Sequence, residues 1–274
     1  MDLSYTGFSI HLPRSHKNAS FPSLLNNLTK IVSLSFSNNN FSGEIPSWIL
    51  ALPHLEELDL SQNAFTGEIG EFQSNSLVYL SLSKNKLNGF IPRSLFQNVN
   101  LGLIDLSSNS LTGNAKVEEL SQLKKLVILD LSSNNLSLTF NNSINYTFDN
   151  LQFLNLSSCN IKEFPNLIRY LKRLFVLDLS CNKLQGRVPE WFSEVGEDTL
   201  TYLNLSQNSL TYIKPVLPWK GLRVLDLHSN LFSDTLPITS SLSLIVFIAS
   251  KNQFSGEIPP CMGSFSEQLS VLDL

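Results

Sequence analysis

Short alternating runs of leucine and polar residues recur along the chain at a nearly constant spacing. Leu58-Asp59-Leu60 is followed by Asn63, and the same order returns at Leu80-Ser81-Leu82 with Asn85. Ten such copies are present, with successive Asn (or once Cys) positions 22 to 26 residues apart. Alternation predicts a short strand whose leucines share one face. Stacked copies of this strand predict a parallel sheet whose leucines form a continuous core.

The polar residue that closes each run is predicted to lie inside the turn that follows the strand. The backbone of that turn has no sheet partner, and an amide side chain both donates and accepts hydrogen bonds. The sequence therefore predicts a ladder of buried side chains, in which Asn109 is fully buried and its neighbour Ser107 is exposed. The ladder comprises Asn39, Asn63, Asn85, Asn109, Asn134, Cys159, Asn182, Asn208, Asn230 and Asn252.

A second element follows the ladder position in many copies. It is clearest in Phe41-Ser42-Gly43-Glu44-Ile45-Pro46 and in Phe254-Ser255-Gly256-Glu257-Ile258-Pro259, with a weaker copy at 231–237. Glycine permits a bend, the apolar residue packs inward, and proline is expected to block further strand pairing. Short helical or 3-10 turns are expected next, at 47–50 and 97–100.

Composition narrows the function classes. The net charge is −4 and only 15% of residues are charged, without the concentrated basic face that nucleic-acid binding requires. The three cysteines have no metal-ligand spacing, and Cys159 and Cys181 should point to opposite faces, which argues against a mutual disulfide. An open sheet offers no pocket for paired carboxylates. We therefore expect no enzyme activity, no cofactor and no metal.

Two features resemble known plant proteins. The Ser/Thr-Gly-x-Ile-Pro element after Leu-x-Leu-x-x-Asn resembles the plant-specific class of leucine-rich repeat. The segments 218–227 and 247–261, which include Pro218-Trp219-Lys220 and Pro259-Pro260-Cys261, resemble plant receptor-like proteins. That resemblance implies a leucine-rich-repeat solenoid, with a curved parallel β-sheet on the concave face and short strands, turns and 3-10 segments on the convex face.

The same resemblance implies a function. Receptor-like proteins are cell-surface receptors with one membrane helix, a short tail and no kinase, and many resemble immune receptors while others act in development. It implies the extracellular face of the plasma membrane, a peptide or protein ligand, and signalling through co-receptor kinases. Two alternatives stay open: a soluble leucine-rich-repeat inhibitor of secreted pathogen enzymes, and a truncated gene product without function.

The organisation is predicted to be one array over 1–274. About ten complete repeats occupy roughly 28–265, with partial repeats at 1–27 and 266–274. No N-terminal or C-terminal cap is recognisable, the N-terminus does not read as a secretory signal, and the longest apolar run, 244–249, is too short to cross a bilayer. By itself the chain is not expected to insert into a membrane.

Two rows of strand residues are expected to face solvent on the concave sheet. The inter-leucine row lies between the two leucines of each copy, and the pre-leucine row lies just before the first. The acidic inter-leucine row either attracts a basic peptide or is a scaffold feature of the repeat. The aromatic pre-leucine residues either anchor a partner or pack against neighbouring repeats. Candidate ligand contacts are Glu57, Asp59, Tyr79, Lys84, Phe153, Tyr202 and His228.

Sequons of the form Asn-x-Ser/Thr suit a secreted glycoprotein, although Asn-rich and Ser-rich repeats also produce them by accident. Glycans at the two sequons within the inter-leucine row, Asn155 and Asn204, are expected to obstruct their repeats and to direct a ligand toward the cluster around Tyr79. The candidate glycosylation sites are Asn18, Asn27, Asn40, Asn135, Asn141, Asn145, Asn155 and Asn204.

Overall fold

The computed structural model describes residues 29–139, 148–239, 241–260 and 268–274. The chain forms two compact units, Met1–Thr139 and Phe140–Leu274, which we describe separately. The sequons at Asn18, Asn27, Asn141 and Asn145, and the cysteine at position 261, lie outside the described residues. The expectation of one array over 1–274 remains a prediction.

The first unit is built from short strands that alternate between two parallel sheets. Its strands are β1 (Ser33–Ser35), β2 (Ser42–Glu44), β3 (Glu57–Asp59), β4 (Ala64–Glu68), β5 (Tyr79–Ser81), β6 (Lys86–Gly89), β7 (Leu103–Asp105), β8 (Ser110–Lys116), β9 (Ile128–Asp130) and β10 (Asn135–Thr139). Helical turns occur at α1 (Ser47–Leu50), at a 3-10 helix (Arg93–Gln97) and at α2 (Val117–Leu120).

The long sheet of the first unit has the order β1-β3-β5-β7-β9, with every pair parallel. Successive repeats pair without a register shift, so that Leu34 lies beside Leu58 and Leu58 beside Leu80. These leucines are at most 1% exposed. The stacked leucine core and the parallel solenoid predicted from the alternation are therefore confirmed.

The element after the ladder position forms a second parallel sheet, in the order β2-β4-β6-β8-β10. The strands of this sheet end before the proline, in agreement with the expectation that proline blocks further pairing. The pairing residues lie before the proline: β2 ends at Glu44, two residues ahead of Pro46, and β6 ends at Gly89. Proline also precedes the helical turns, where its fixed φ suits the entry and its missing N–H costs nothing.

The second unit repeats this architecture. Its strands are β11 (Phe153–Asn155), β12 (Val176–Asp178), β13 (Gln185–Arg187), β14 (Tyr202–Asn204), β15 (Ser209–Tyr212), β16 (Val216–Leu217), β17 (Val224–Asp226), β18 (Ile238–Thr239), β19 (Val246–Ile248) and β20 (Val271–Asp273). The long sheet has the order β11-β12-β14-β17-β19-β20, all parallel. Two smaller sheets pair β13 with β15 and β16 with β18. Two 3-10 helices span Asn166–Tyr170 and Glu190–Glu194.

Of the two short helical turns predicted from the sequence, one lies where it was predicted and one lies earlier in the chain. The helical turn predicted at 47–50 is present as α1. The turn predicted at 97–100 lies earlier, at Arg93–Gln97, because it begins directly after Pro92. The weak copy at 231–237 contains no strand, and the chain pairs only afterwards, at β18 (Ile238–Thr239).

An aromatic cluster anchors the core of the second unit. Trp219 is 1% exposed, and its indole Nε1–H donates to the carbonyl oxygen of Val195 at 2.7 Å. Its ring meets Phe192 edge to face, with centroids 6.0 Å apart, and Phe192 contacts Phe164 in the same manner at 5.2 Å. Such contacts add to the gain from apolar burial. The Pro218-Trp219-Lys220 motif therefore carries a packing role.

Among the described residues, no helix has the length and apolar character needed to cross a bilayer.

Candidate functional site

The ladder residues tie each repeat to the one before it. Asn85 Nδ2 donates to the carbonyl oxygens of Leu82 (3.1 Å) in its own repeat and of Leu60 (2.9 Å) in the preceding repeat. Its Oδ1 accepts the N–H of Phe65, also in the preceding repeat, at 3.0 Å. Asn63, Asn109, Asn134, Asn182, Asn208, Asn230 and Asn252 bond in the same way. These amides provide hydrogen-bond partners for backbone N–H and C=O groups that have none in the sheets.

The cysteine in the ladder occupies the same slot without an amide. Cys159 is buried, and its N–H donates to Oδ1 of Asn182 at 3.1 Å. Cys181 is exposed on the next repeat, and the two thiols form no disulfide with each other; Sγ of Cys159 donates to the carbonyl oxygen of Ser157 at 3.4 Å. The two side chains therefore differ in environment in the way that the alternation predicts.

Two expectations about exposure in the ladder region were wrong. Asn109 is half-buried rather than fully buried. Ser107, expected to be exposed, is only 9% exposed, and its hydroxyl donates to Oδ1 of Asp105 at 2.7 Å. Ser107, the serine after the second leucine, is thus buried and hydrogen-bonded. A substitution at Ser107 would therefore also reduce stability and cannot serve as a control for a substitution in the ladder.

The inter-leucine row has a structural role at the end of each strand. Oδ1 of Asp59 accepts the N–H of Ser61 at 2.9 Å, and Asp105 does the same for Ser107 at 3.0 Å. Asp130, Asp178 and Asp226 repeat this contact. Short side-chain acceptors two residues before an N–H commonly stabilise turns in this way. The row is half-buried rather than open to solvent, and Ser81 is only 3% exposed.

Asparagine makes the same turn contact as aspartate. Oδ1 of Asn155 accepts the N–H of Ser157 at 3.0 Å, and Oδ1 of Asn204 accepts that of Ser206 at 2.9 Å. In addition, Nδ2 of Asn204 donates to Oδ2 of Asp178 at 3.3 Å. The amide oxygen of asparagine therefore makes this contact as a carboxylate does, and the contact does not require a negative charge.

In the first unit the pre-leucine row brings together several of the predicted contacts. Glu57 on β3 pairs in register with Tyr79 on β5, and Tyr79 in turn pairs with Leu103 on β7. Tyr79 is half-buried, whereas Glu57 is exposed. A shallow depression of about 260 Å³ is lined by Ser33, Leu34, Ser35, Glu57, Asp59 and Tyr79. Lys84 lies apart from this depression, in the turn three residues past β5, with a left-handed φ of 53°.

The environment of Tyr79 disfavours its ionised form. Burial raises the pKa of the phenol above its ordinary value, and the negative charge of Asp59, followed by those of Asp105 and Glu57, raises it further. A hydrogen bond with Ser81 acts in the opposite direction. Three carboxylates thus lie close enough to this one hydroxyl to act on it.

Replacing Asp59 by asparagine should lower the pKa of Tyr79, because the largest charge contribution disappears while burial remains. The folded protein favours the neutral phenol. This stabilising contribution is therefore complete below the ordinary pKa of 10.0 and is lost as pH rises through the higher folded value. Ultraviolet absorbance of tyrosinate, assigned by difference with Tyr79→Phe, measures the shift. Asp130→Asn, on the more distant strand β9, is the control and should leave Tyr79 unchanged.

The second unit has a more apolar pre-leucine row. Phe153, Val176, Tyr202, Val224 and Val246 lie side by side in register across five strands, and all are half-buried. Burial raises the pKa of Tyr202, as do Asp178 and Asp226, whereas the hydrogen bond with Asn204 lowers it. Tyr79 and Tyr202 therefore occupy equivalent positions, each between strands that bear an aspartate.

His228 is held by its own repeat. Its Nδ1 lies 2.8 Å from Oδ1 of Asp226, which also accepts the His228 backbone N–H at 3.0 Å. The ring is about a quarter exposed at 24%. The contact orders the ring in the turn two residues past β17, the strand that pairs with the strand of Tyr202.

Sequence reasoning assigned too little weight to Asp105 and Leu103. Both belong to the predicted rows but were not selected as contacts, although they flank Tyr79 on the next strand. Register was the missing signal, because an unshifted parallel sheet places equivalent residues of adjacent repeats side by side. In the described part of the chain, no group of three or more His, Cys, Asp or Glu residues is arranged to hold a metal ion.

Comparison with known families identifies the repeat. The Leucine Rich Repeat family matches residues 30–52, 76–98, 150–171, 173–195 and 199–220, and a second leucine-rich-repeat family matches 51–72. Among curated proteins, the chain is 40% identical over 159 residues to Receptor-like protein 53 and 40% identical over 160 residues to Receptor-like protein 7, both of Arabidopsis thaliana. These alignments cover 57% and 56% of this chain but only 16% of each relative.

Solved structures share the fold. The plant peptide hormone receptor RGFR1, solved in complex with RGF2, superposes with a TM-score of 0.81 at 30% identity, over 90% of this chain and 40% of that one. The ectodomain of the Arabidopsis receptor kinase HAESA, solved with an extended IDA peptide hormone, gives a TM-score of 0.82 at 27% identity, over 100% of this chain and 45% of that one. The chain thus spans less than half the length of each.

Proposed function

We propose that this chain, which carries leucine-rich repeats and is similar to plant receptor-like proteins, recognises a peptide or protein ligand outside the plant cell. The ligand binds the solvent-facing side of the long sheets, on the pre-leucine and inter-leucine rows. In the plant, this recognition serves pathogen perception and defence signalling through partner receptor kinases.

The contrast between constant scaffold and varied surface within the array supports this proposal. The leucine position that follows each pre-leucine residue repeats almost unchanged, at Leu58, Leu80, Ile104 and Leu129, because it fills the core. The pre-leucine row carries glutamate, tyrosine, leucine and isoleucine on the same four strands. Packing does not require that variety, and aromatic residues on a surface are frequent anchors of interfaces. In the two solved relatives described above, the bound partner is a peptide hormone.

The proposal can be tested with peptides selected from a random display library on the full chain. We expect the selected peptides to bind about tenfold more weakly, or worse, after Tyr79→Ala, or after the pair Phe153→Ala and Tyr202→Ala, because anchors at the centre of an interface dominate its affinity. Titration calorimetry on each variant measures the loss.

Phe90→Ala provides a matched control, since Phe90 is 66% exposed but follows β6 of the second sheet. It should leave the affinities unchanged. If Phe90→Ala abolishes binding and the three long-sheet substitutions do not, the ligand site lies elsewhere and the proposal is wrong.

A further inference from the structure

The first unit carries negative charges that it does not use internally. Within the described part of the chain, no Lys, Arg or His forms an ion pair with Glu57, Asp59 or Asp105. Asp59 and Asp105 each use Oδ1 for the turn, and Oδ2 accepts no hydrogen bond from the described residues. Carboxylates around one aromatic ring, without a cation of their own, form a surface complementary to a cationic partner.

The scaffold does not account for these charges. Asn155 and Asn204 make the same turn contact at 3.0 and 2.9 Å with a neutral amide. Asp59 and Asp105 therefore bring a charge that the turn does not require. Like charges along one face of a sheet repel one another, so this choice costs stability rather than adding to it. The charge is explained if something outside the chain binds to it.

An apolar strip runs beside the charged row. Tyr79, Leu103 and Ile128 lie in register on β5, β7 and β9, and all three are half-buried. The inter-leucine row lies two residues along each strand on the same face, about 7 Å away. Asp59 and Asp105 are two strands apart, on the order of 10 Å. An arginine or lysine side chain of a bound peptide is long enough to contact one of these aspartates. The adjacent apolar residue of the peptide can then contact the apolar strip.

We propose that this face of the first unit binds an extended peptide in which arginine or lysine alternates with apolar residues. The cations contact Asp59, Asp105 and Glu57, and the apolar side chains lie on Tyr79, Leu103 and Ile128. The inference rests on the proposed function and adds the chemical class of the ligand. A peptide is favoured because the strip is open and shallow, with a depression of only about 260 Å³.

The test uses the full chain and a fluorescently labelled, capped peptide of sequence Arg-Leu-Arg-Leu-Arg. The combined change Asp59→Asn and Asp105→Asn removes two charges and keeps the turn oxygen. It also creates two Asn-Leu-Ser sequons, so the protein is made in a bacterial host that does not glycosylate asparagine. We expect binding, measured by fluorescence anisotropy, to weaken about three- to tenfold, because exposed charge pairs contribute modestly. Replacing all three arginines by neutral citrulline should cause a loss at least as large, because the contact with Glu57 is removed as well.

Glu44→Gln with Glu68→Gln is the matched control. Both glutamates are exposed on the second sheet, and the pair changes the net charge by the same amount. It should leave the affinity unchanged, whereas a loss equal to that of the aspartate pair means unspecific attraction and overturns the inference. Tyr79→Ala should weaken binding as well.

The two levels of the proposal fail differently. If library-selected peptides depend on Tyr79 but the aspartate pair has no effect on them or on the arginine peptide, the face binds ligands and the inferred ligand class is wrong. If neither Tyr79→Ala nor the aspartate pair affects any peptide, the long-sheet face of the first unit is not a ligand site.

Discussion

Asn134→Ala should lower the free energy of unfolding by about 2–4 kcal/mol, because several buried backbone groups lose their partner at once. Its Nδ2 donates to the carbonyl oxygens of Leu106, Leu131 and Ser132 at 2.9, 3.1 and 3.2 Å. Its Oδ1 accepts the N–H of Leu111 at 3.0 Å. The side chain is only 8% exposed, so water cannot readily replace it. Urea unfolding followed by circular dichroism measures the change.

The next residue offers a control of the same type. Asn135 is exposed on β10, and Asn135→Ala should change stability by about 0.5 kcal/mol or less. Asn134→Asp should destabilise at least as much as Asn134→Ala, because it directs an anion at carbonyl oxygens that require donors. Equal effects at positions 134 and 135 would contradict the ladder as a source of stability.

Trp219→Ala should cost about 3–5 kcal/mol, since it removes the largest fully buried side chain of the second unit and leaves a cavity. Trp219→Phe keeps an aromatic ring against Phe192 but removes the donor to the Val195 carbonyl oxygen, and should cost about 1–3 kcal/mol. Urea unfolding again gives the values.

Phe175→Ala is the comparison for Trp219, because Phe175 belongs to the same unit but is 42% exposed. Its loss should matter little. A Trp219→Phe variant as stable as the unaltered protein would mean that the indole hydrogen bond contributes nothing.

Much of the fold follows from the sequence for a simple reason. Each Leu-x-Leu run is too short to bury its own face, so only stacking with its copies makes a core. The alternation therefore determines which side chains point inward, and Leu58, Leu80 and Leu177 are all essentially unexposed. The resemblance implied short strands on the second face, but the alternation did not predict that they pair into a second sheet, since they contain glycine and few apolar residues. Their pairing depends on the stacking of neighbouring repeats rather than on local propensity.

The site was less accessible to sequence reasoning. Pattern alone selected Glu57, Asp59 and Tyr79 individually, because charged and aromatic residues stand out against small polar neighbours. It did not bring in Asp105, whose influence on Tyr79 depends on the register between β5 and β7. Nor did the pattern show that aspartate in this row both accepts a hydrogen bond in the turn and adds a negative charge to the surface. The hydrogen bonds of Asn155 and Asn204 show that a neutral amide makes the same turn contact as a carboxylate.

The interchangeability of aspartate and asparagine in the inter-leucine row affects how such a repeat array can evolve. Their codons differ by a single base, and the turn tolerates either residue. Because leucine and serine follow at Asp59, Asp105 and Asp130, the same mutation that removes a charge also creates an acceptor for an N-linked sugar. On the proposal that these aspartates bind a cationic ligand, one mutation therefore replaces a cation contact with a site that can carry a glycan, with little effect on folding. Selection by a changing ligand can act on each repeat separately while the scaffold stays intact.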